Sequence, residues 1–339
     1  MMKICICGGG NLGHVVAGYL SAKAAYRVGI LTGKPTQWSD TLEIVDCHGN
    51  TFLGKPSIIT SSPQAAIGDA DVVLFCLPGF AIPGKLREIA PWLKPTAWVG
   101  SVVSSTGFFF EAFKTLPATQ PLFGFQRVPF ISRIVRYGEK AELKGYKESL
   151  KLAVENTNDK EAIRAFWENA FDTKVTLLQS YYEVSLSNSN PLLHPSRLYT
   201  LWRNWEEGVY YDEVPMFYEG WSDEASRLLI MMDNELQSLL EKLPVTRGSI
   251  TPILDYYESH DAASLTRKIS SIVAFKGIKA PMVSSSQGFI PDFNSRYFTE
   301  DIPFGMRFIV ETAAIYHHPI PVITKVYEWG MSCIKAHAH

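Results

Sequence analysis

The sequence predicts an α/β protein: a doubly wound parallel sheet in the first half, followed by a mainly α-helical second domain. Two patterns predict it. Up to about residue 181, short apolar runs alternate with helical spacing; beyond it, strand-like runs become scarce and helical spacing dominates. Continuous apolar runs suit strands covered on both faces, and strands alternating with helices imply right-handed βαβ units. A chain of 339 residues is too long for one ordinary core and suits two domains, read as 1–181 and 182–339.

Residues 3–7 read as a strand, 11–24 as a helix and 27–32 as a second strand. Residues 42–47 and 50–53 read as a hairpin around His48-Gly49. Residues 70–75, with Val72, Val73, Leu74 and Phe75 apolar in succession, and 97–103 read as buried strands. From residue 122 the pattern continues with strands at 134–137 and 141–146, a helix at 159–171 and a last strand at 174–178. In the second half the clearest helix is 222–243. Ser222 suits its N-cap, and Asp223 and Glu224 sit in the first turn, where the helix dipole favours acids. Ala225, Leu228, Leu229, Met232, Leu236, Leu239, Leu240 and Leu243 share one face, and Pro244 stops the helix. Residues 262–272, 305–316 and 320–334 read as further helices.

Lys and Arg total 32 against 34 Asp and Glu, so bulk charge provides no reason to expect nucleic acid or an acidic membrane as partner. The charge-free stretches are too short and too interrupted to span a bilayer. Met1-Met2-Lys3 leads at once into a strand, which reads as no signal peptide. Cys5, Cys7, Cys47, Cys76 and Cys333 are odd in number, form no CxxC pair and lie mostly in apolar runs. They read as buried thiols of a cytoplasmic protein, not as disulfides or metal ligands. Cys5 and Cys7 share a strand face, which leaves a redox pair open.

Gly8-Gly9-Gly10-Asn11-Leu12-Gly13 satisfies G-x-G-x-x-G. It follows a strand and opens a helix carrying apolar Leu12, Val15, Val16, Ala17 and Leu20, which is the context the motif requires. Gly8 permits a tight turn, Gly10 removes a Cβ from the path of a pyrophosphate, and Gly13 lets the helix pack closely on its strand. The helix N-terminus then faces the phosphates. Gly8, Gly10, Asn11, Leu12 and Gly13 are therefore candidate cofactor contacts of a Rossmann domain; the alternative is a glycine-rich connection without a ligand. The second strand ends Leu31-Thr32-Gly33-Lys34, with a hydroxyl and a cation where NAD sites usually offer an acid. Thr32 and Lys34 thus favour NADP over NAD, unless Lys34 is only a solvated loop residue. Leu77 and Pro78 follow the strand ending at Cys76, at a carboxyl edge where such sheets bind ligands. They either border the cofactor or form an ordinary Pro-Gly turn.

Two segments of the second half carry chemistry. In Ser187-Asn188-Ser189-Asn190-Pro191-Leu192-Leu193-His194-Pro195, His194 is either a satisfied core histidine or a general acid/base. In the segment from Asn294 to Gly305, Arg296 and Asp301 sit five residues apart. An arginine fork suits a substrate carboxylate, and a buried aspartate suits holding a histidine in one tautomer. The alternative is a helix-capping Asp301 and a surface ion pair. The clustered Trp202, Trp205, Tyr210, Tyr211, Phe217, Tyr218 and Trp221 suit a filled core, a pocket lining or a homo-oligomer interface.

The strand-glycine-turn-helix opening, Asn190-Pro191-Leu192-Leu193-His194-Pro195 and Arg296-Tyr297-Phe298-Thr299-Glu300-Asp301-Ile302-Pro303-Phe304-Gly305 together resemble the octopine/nopaline (opine) dehydrogenase family. The likeness spans both domains in order. It implies an NAD(P)-dependent oxidoreductase that reductively condenses an α-keto acid, often pyruvate, with the amino group of an amino acid. It further implies His194 as acid/base, Asp301 as its carboxylate partner, and Arg296 and Asn190 at the substrate. Gln126, after the apolar Phe123-Gly124-Phe125, is placed at the substrate or nicotinamide. The departure at Thr32-Gly33-Lys34 leaves the choice of cofactor open. Two other readings remain: a simple 2-keto acid or ketone reductase of the glycerol-3-phosphate or ketopantoate type, and a dinucleotide-binding protein without turnover.

Overall fold

The computed structural model describes residues 1–337, apart from the side chain of Thr106. The chain divides into two compact units, Met1–Ser185 and a second that starts at Leu186. The first unit runs β1 (Met2–Cys7), α1 (Asn11–Ser21), β2 (Tyr26–Leu31), β3 (Leu42–Asp46), β4 (Thr51–Gly54), β5 (Ile58–Thr60), α2 (Pro63–Ile67), β6 (Val72–Phe75), α3 (Ile82–Ile89), β7 (Trp98–Val102), α4 (Phe108–Thr115) and β8 (Leu122–Phe125). It continues with β9 (Phe130–Arg136), β10 (Lys140–Tyr146), β11 (Ser149–Glu155), α5 (Lys160–Phe171), β12 (Lys174–Leu177) and α6 (Tyr181–Ser185). The unit ends at 185 instead of 181 because Val184 of α6 is buried in the core cluster that α3 and α4 build.

Eight strands form one sheet in the order β12-β11-β8-β7-β6-β1-β2-β5. All neighbours are parallel except β8 and β11. The connectivity reverses between β1 and β6, which makes their carboxyl ends the topological switch point where open sheets take ligands. The apolar runs are explained by cover on both faces. Ile4 and Ile6 point into one core with α1 and α5, while Cys5 and Cys7 point into the other with α2, α3 and α4.

The sequence-predicted hairpin at 42–53 is present, and so are the two strands near 134–146, but none of these belongs to the main sheet. They form a second, four-stranded sheet, β4-β3-β10-β9, laid against α1. Gly18 of α1 makes this possible, since a Cβ there would lie 2.4 Å from Ile44 Cγ1. Their alternating burial suits half-covered strands of any sheet, so the pattern could not assign them to one. Three strands of this unit escaped the sequence reading: β5 is only three residues long, β8 only four with Gly124 inside it, and β11 begins by alternating exposed Ser149 and Lys151 with buried Leu150 and Leu152.

The second unit contains α7 (Asn190–Trp202), α8 (Asp223–Leu240), α9 (Ile253–Tyr256), α10 (Ala262–Ser271), a hairpin of β13 (Met282–Ser285) and β14 (Gly288–Pro291), α11 (Arg296–Thr299), α12 (Arg307–Ile315) and α13 (Pro321–Ala336). Ser222 caps α8 as predicted, accepting the Ala225 N–H at 3.2 Å. The helix ends at Leu240, and Leu243 follows in a tight turn whose N–H reaches the Leu240 carbonyl. α7 and α8 pack together, with α10 on α8 and α13 on α7. Among the described residues, no helix is long and apolar enough to cross a membrane.

The glycine turn yields a stability test. A Cβ at Gly13 would lie 2.1 Å from the Gly8 carbonyl oxygen, whereas one at Gly10 would meet nothing within 4 Å. Gly13→Ala is expected to cost about 1–3 kcal/mol, as overpacking does, and Gly10→Ala far less. Urea unfolding of both variants checks this, and equal stabilities would contradict the packing argument.

Candidate active site

At the switch point the chain leaves β1 through Gly8, whose φ of +129° and whose Cβ position 2.4 Å from the Cys76 carbonyl oxygen both demand glycine. α1 starts at Asn11, with Gly10 as its N-cap in extended conformation and open space where a side chain would be. That leaves the first-turn N–H groups of α1 and an unobstructed backbone to receive a pyrophosphate. Leu77 lies against the same turn, its Cδ2 3.1 Å from the Cβ position of Gly8, and Pro78 follows it, half-buried.

At the end of β2, Thr32 is buried and its Oγ1 accepts the Lys34 N–H at 3.4 Å. Lys34 is exposed, its Nζ 5.9 Å from the centre of the Tyr137 ring. Tyr137 comes from the β9–β10 turn and closes over Gly9, whose Cβ position lies 2.8 Å from Tyr137 Oη, 2.9 Å from Thr32 Oγ1 and 3.3 Å from Trp38 Cζ2. Buried His14 ties that turn down. Its Nε2 accepts the Gly138 N–H at 2.8 Å and its Nδ1 lies 3.0 Å from the Gly10 carbonyl oxygen, so the proton sits on Nδ1 and the ring is neutral. Burial lowers its pKa in the same sense, and the ring stacks on Trp38 at 4.0 Å. Asn11 adds a second tie, its Oδ1 accepting the Ile134 N–H at 2.8 Å. The open glycine cradle, the helix N-terminus and the hydroxyl and cation after β2 fit a nicotinamide dinucleotide. His14, Trp38 and Tyr137 went unread because nothing in local sequence places residue 137 over residue 9.

In the second unit the chemistry gathers on α7. His194 is buried, with Nδ1 2.7 Å from Asp301 Oδ2 and Nε2 2.7 Å from Tyr218 Oη. The carboxylate accepts the Nδ1–H, so Nε2 of the neutral ring accepts from the Tyr218 hydroxyl. Asp301 precedes a π turn over Ile302–Met306, in which the Met306 N–H reaches the Asp301 carbonyl at 2.8 Å. Gly305 lets this turn press on the start of α7, since a Cβ there would lie 2.5 Å from Pro191 Cγ. The Asp301 side chain makes no capping bond; its carboxylate goes to His194. Tyr297 meets His194 edge-on at 4.6 Å and stacks on Phe217 at 4.7 Å. Burial first, then the neighbouring Tyr297, push the Tyr218 phenol well above its ordinary value. One turn along α7, buried Arg197 donates from Nε to the Phe217 carbonyl at 3.1 Å and from Nη2 to the Met216 carbonyl at 3.5 Å. Burial lowers that guanidinium to about 10.

Asn190 is the first residue of α7, half-buried, and four residues before His194 on the same helix face. Arg296 opens α11, exposed and with no ion pair among the described residues. Gln126 follows β8 but is tied within the first unit: its backbone N–H goes to Lys151 O at 3.0 Å and its amide to Glu183 O at 3.4 Å. The aromatic cluster divides, with Trp202, Phe217, Tyr218 and Trp221 buried and Tyr210 exposed. Tyr218, Tyr297 and Arg197 were missed as site residues, since Tyr218 is 24 positions from the histidine it touches. Cys5 and Cys7 are buried with sulfurs 4.0 Å apart and Cys7 is pushed well above its ordinary value, which does not suit a reactive thiolate.

Residues 177–334 match the family model described as NAD/NADP octopine/nopaline dehydrogenase, alpha-helical domain, and residues 4–109 match that of ketopantoate reductase PanE/ApbA. The tauropine dehydrogenase of Arabella iricolor is 29% identical over 97% of this chain and 91% of its own length. The octopine dehydrogenase of Mizuhopecten yessoensis is 27% identical over 98% of this chain and 90% of its own. A solved structure of octopine dehydrogenase with NADH and L-arginine superposes with a TM-score of 0.85 at 26% identity, covering 99% of this chain and 90% of that one.

The contact at Gly305 has a measurable consequence. Gly305→Ala should force the π turn away from Pro191 and cost about 1–3 kcal/mol, with the His194 side-chain resonances shifted as Asp301 withdraws. Denaturation and histidine-selective NMR check both, and unchanged resonances would show that Gly305 does not set the His194–Asp301 distance.

Proposed function

The chain belongs to the octopine/nopaline dehydrogenase family of NAD(P)-dependent oxidoreductases, and from that premise we propose that His194, held by Asp301, moves the protons when an α-keto acid such as pyruvate condenses with the amino group of an amino acid. The observation that carries this role is the buried imidazole with a carboxylate 2.7 Å from Nδ1. A carboxylate there fixes the tautomer and stabilises the imidazolium when the ring takes a proton. The Arg296 guanidinium, exposed and without an ion pair among the described residues, is suited to a substrate carboxylate, which it can grip with two parallel hydrogen bonds. Asn190, on the His194 face of α7, provides a further polar group for substrate. The Gln126 amide nitrogen donates one N–H to Glu183 O at 3.4 Å, which leaves its second N–H and its carbonyl oxygen for substrate or nicotinamide.

Amine addition to the keto carbon yields a carbinolamine, and loss of water yields an imine. His194 acts as base and then as acid across these steps. Reduction of the imine to a secondary amine needs a hydride, which NAD(P)H would supply when bound. Gly8, Gly10, Asn11, Leu12 and Gly13 would hold its pyrophosphate, with Leu77 and Pro78 alongside. Thr32 and Lys34 would hold a 2′-phosphate, and this supports NADP over NAD, as does the absence of an acid at the end of β2.

NADPH and NADH oxidation should be followed with pyruvate plus a pool of amino acids, beside pyruvate alone. Oxidation that requires the amine is expected. Oxidation by the keto acid alone would instead mean a simple keto reductase, the type whose family model matches residues 4–109. Nucleotide binding with no oxidation would mean a protein that only binds its dinucleotide. In the same assay His194→Ala should lose about 10²–10⁴-fold in turnover with cofactor binding intact, and Asp301→Asn should also slow the reaction; wild-type rates in either variant would remove that residue from the mechanism. Lys34→Glu should move the NADPH-to-NADH ratio of kcat/KM at least about tenfold toward NADH, the scale of one charge-assisted hydrogen bond. An unmoved ratio would make Lys34 a bystander.

A further inference from the structure

We propose that Tyr218 is a further catalytic residue, its hydroxyl passing the proton between Nε2 of His194 and the oxygen that leaves as water. This rests on His194 being the acid/base. The geometry that points to it is the occupation of both ring nitrogens. Nδ1 faces Asp301 at 2.7 Å, so proton exchange with substrate must go through Nε2, and Nε2 faces the Tyr218 hydroxyl at 2.7 Å. Phe217 and Tyr297 meet the imidazole edge-on, at 5.9 and 4.6 Å, and help to keep it only 6% exposed.

Tyr218 is not placed to swing aside. Its ring stacks on Phe275 at 4.1 Å and lies parallel to Trp221 at 6.3 Å, with Phe217 edge-on at 4.9 Å. Such aromatic pairs contribute about 0.5–1.5 kcal/mol each beyond area burial. The backbone is clamped as well. Arg197 is buried, has no ion pair among the described residues, and uses its donors on the carbonyls of Met216 and Phe217, the two residues before Tyr218. Arg197 is thus a positioning residue for the Tyr218 hydroxyl.

A hydroxyl carries one donor and two acceptor sites, so it can take a proton on one side while releasing one on the other. Burial keeps the phenol protonated across the assay range, as a relay needs. In the dehydration step the imidazolium Nε2–H passes to the Tyr218 oxygen while the Tyr218 O–H passes to the carbinolamine hydroxyl. The C–O bond breaks, the nitrogen lone pair forms C=N, and water departs. The positive charge moves from imidazolium to iminium, and tyrosine ends as it began.

The test is Tyr218→Phe, which keeps the ring and removes the relay, compared with wild type and His194→Ala using pyruvate and the amino acid pool. Turnover in Tyr218→Phe should fall about 10–10²-fold, within the range of general acid/base effects, with NAD(P)H binding unchanged. In mixtures of light and heavy water the wild-type rate should curve with deuterium content, as two moving protons require, and the Tyr218→Phe rate should be linear. The His194 Nε2 resonance should also shift on losing its partner. Wild-type turnover in Tyr218→Phe beside an inactive His194→Ala would overturn the relay alone. Lost turnover with the curvature retained would assign Tyr218 to holding the ring and overturn it too, as would a linear wild-type dependence. Full activity in His194→Ala would overturn the reading beneath it.

Discussion

Close approach to a glycine backbone, with no Cβ in the way, is the constraint on which both halves of this protein depend. In the first unit the Gly8 and Gly13 positions leave 2.4 and 2.1 Å to a carbonyl oxygen, so β1, α1 and the chain after β6 meet in a turn that only glycine allows. That contact brings a helix N-terminus to the switch point of the sheet. In the second unit Gly305 plays the same part against Pro191, and the π turn it admits carries Asp301 to His194. Overpacking at any of these points would force the packed segments apart, and what they position would move with them.

Two buried histidines show how partners decide a role. His14 has a carbonyl oxygen at one nitrogen and an N–H donor at the other, an arrangement compatible only with the neutral ring. It is a pin between the glycine turn and the β9–β10 turn, and burial pushes its pKa down accordingly. His194 has a carboxylate at one nitrogen and a phenol at the other. The carboxylate stabilises the charged ring and the phenol can either donate or accept, so this ring can change state without losing a partner. Similar burial thus leads to opposite roles, through the chemistry of the second contact.

Much of the first unit was legible because its information is local. The glycine spacing, the wholly apolar strands and the cap of α8 each lie within a few residues of their effect. The second sheet was not legible, because the alternation of Leu42, Ile44, Ala141 and Leu143 says that one face is covered without saying by what. α7 was not among the helices read from the sequence. Pro191 and Pro195 interrupt its pattern, yet Pro191 falls in the first turn, where its missing N–H costs nothing. The His194, Arg296 and Asp301 set was visible through its likeness to a family, not through spacing, since 107 residues separate the histidine from its carboxylate.

The sequence by itself determined the order of the domains, the dinucleotide turn, the absence of an acid after β2, and the residue types able to move a proton. These are set by short-range sterics and by the chemistry of single side chains, which one-dimensional order records. The tertiary structure decided that Tyr218 occupies the second nitrogen of His194, that Arg197 clamps the segment bearing it, that Tyr137 folds over the nucleotide turn, and that Gln126 is held by Glu183. Each of these is a contact between segments distant in sequence, set by how helices and sheets pack, and no local pattern encodes which partners that packing brings together.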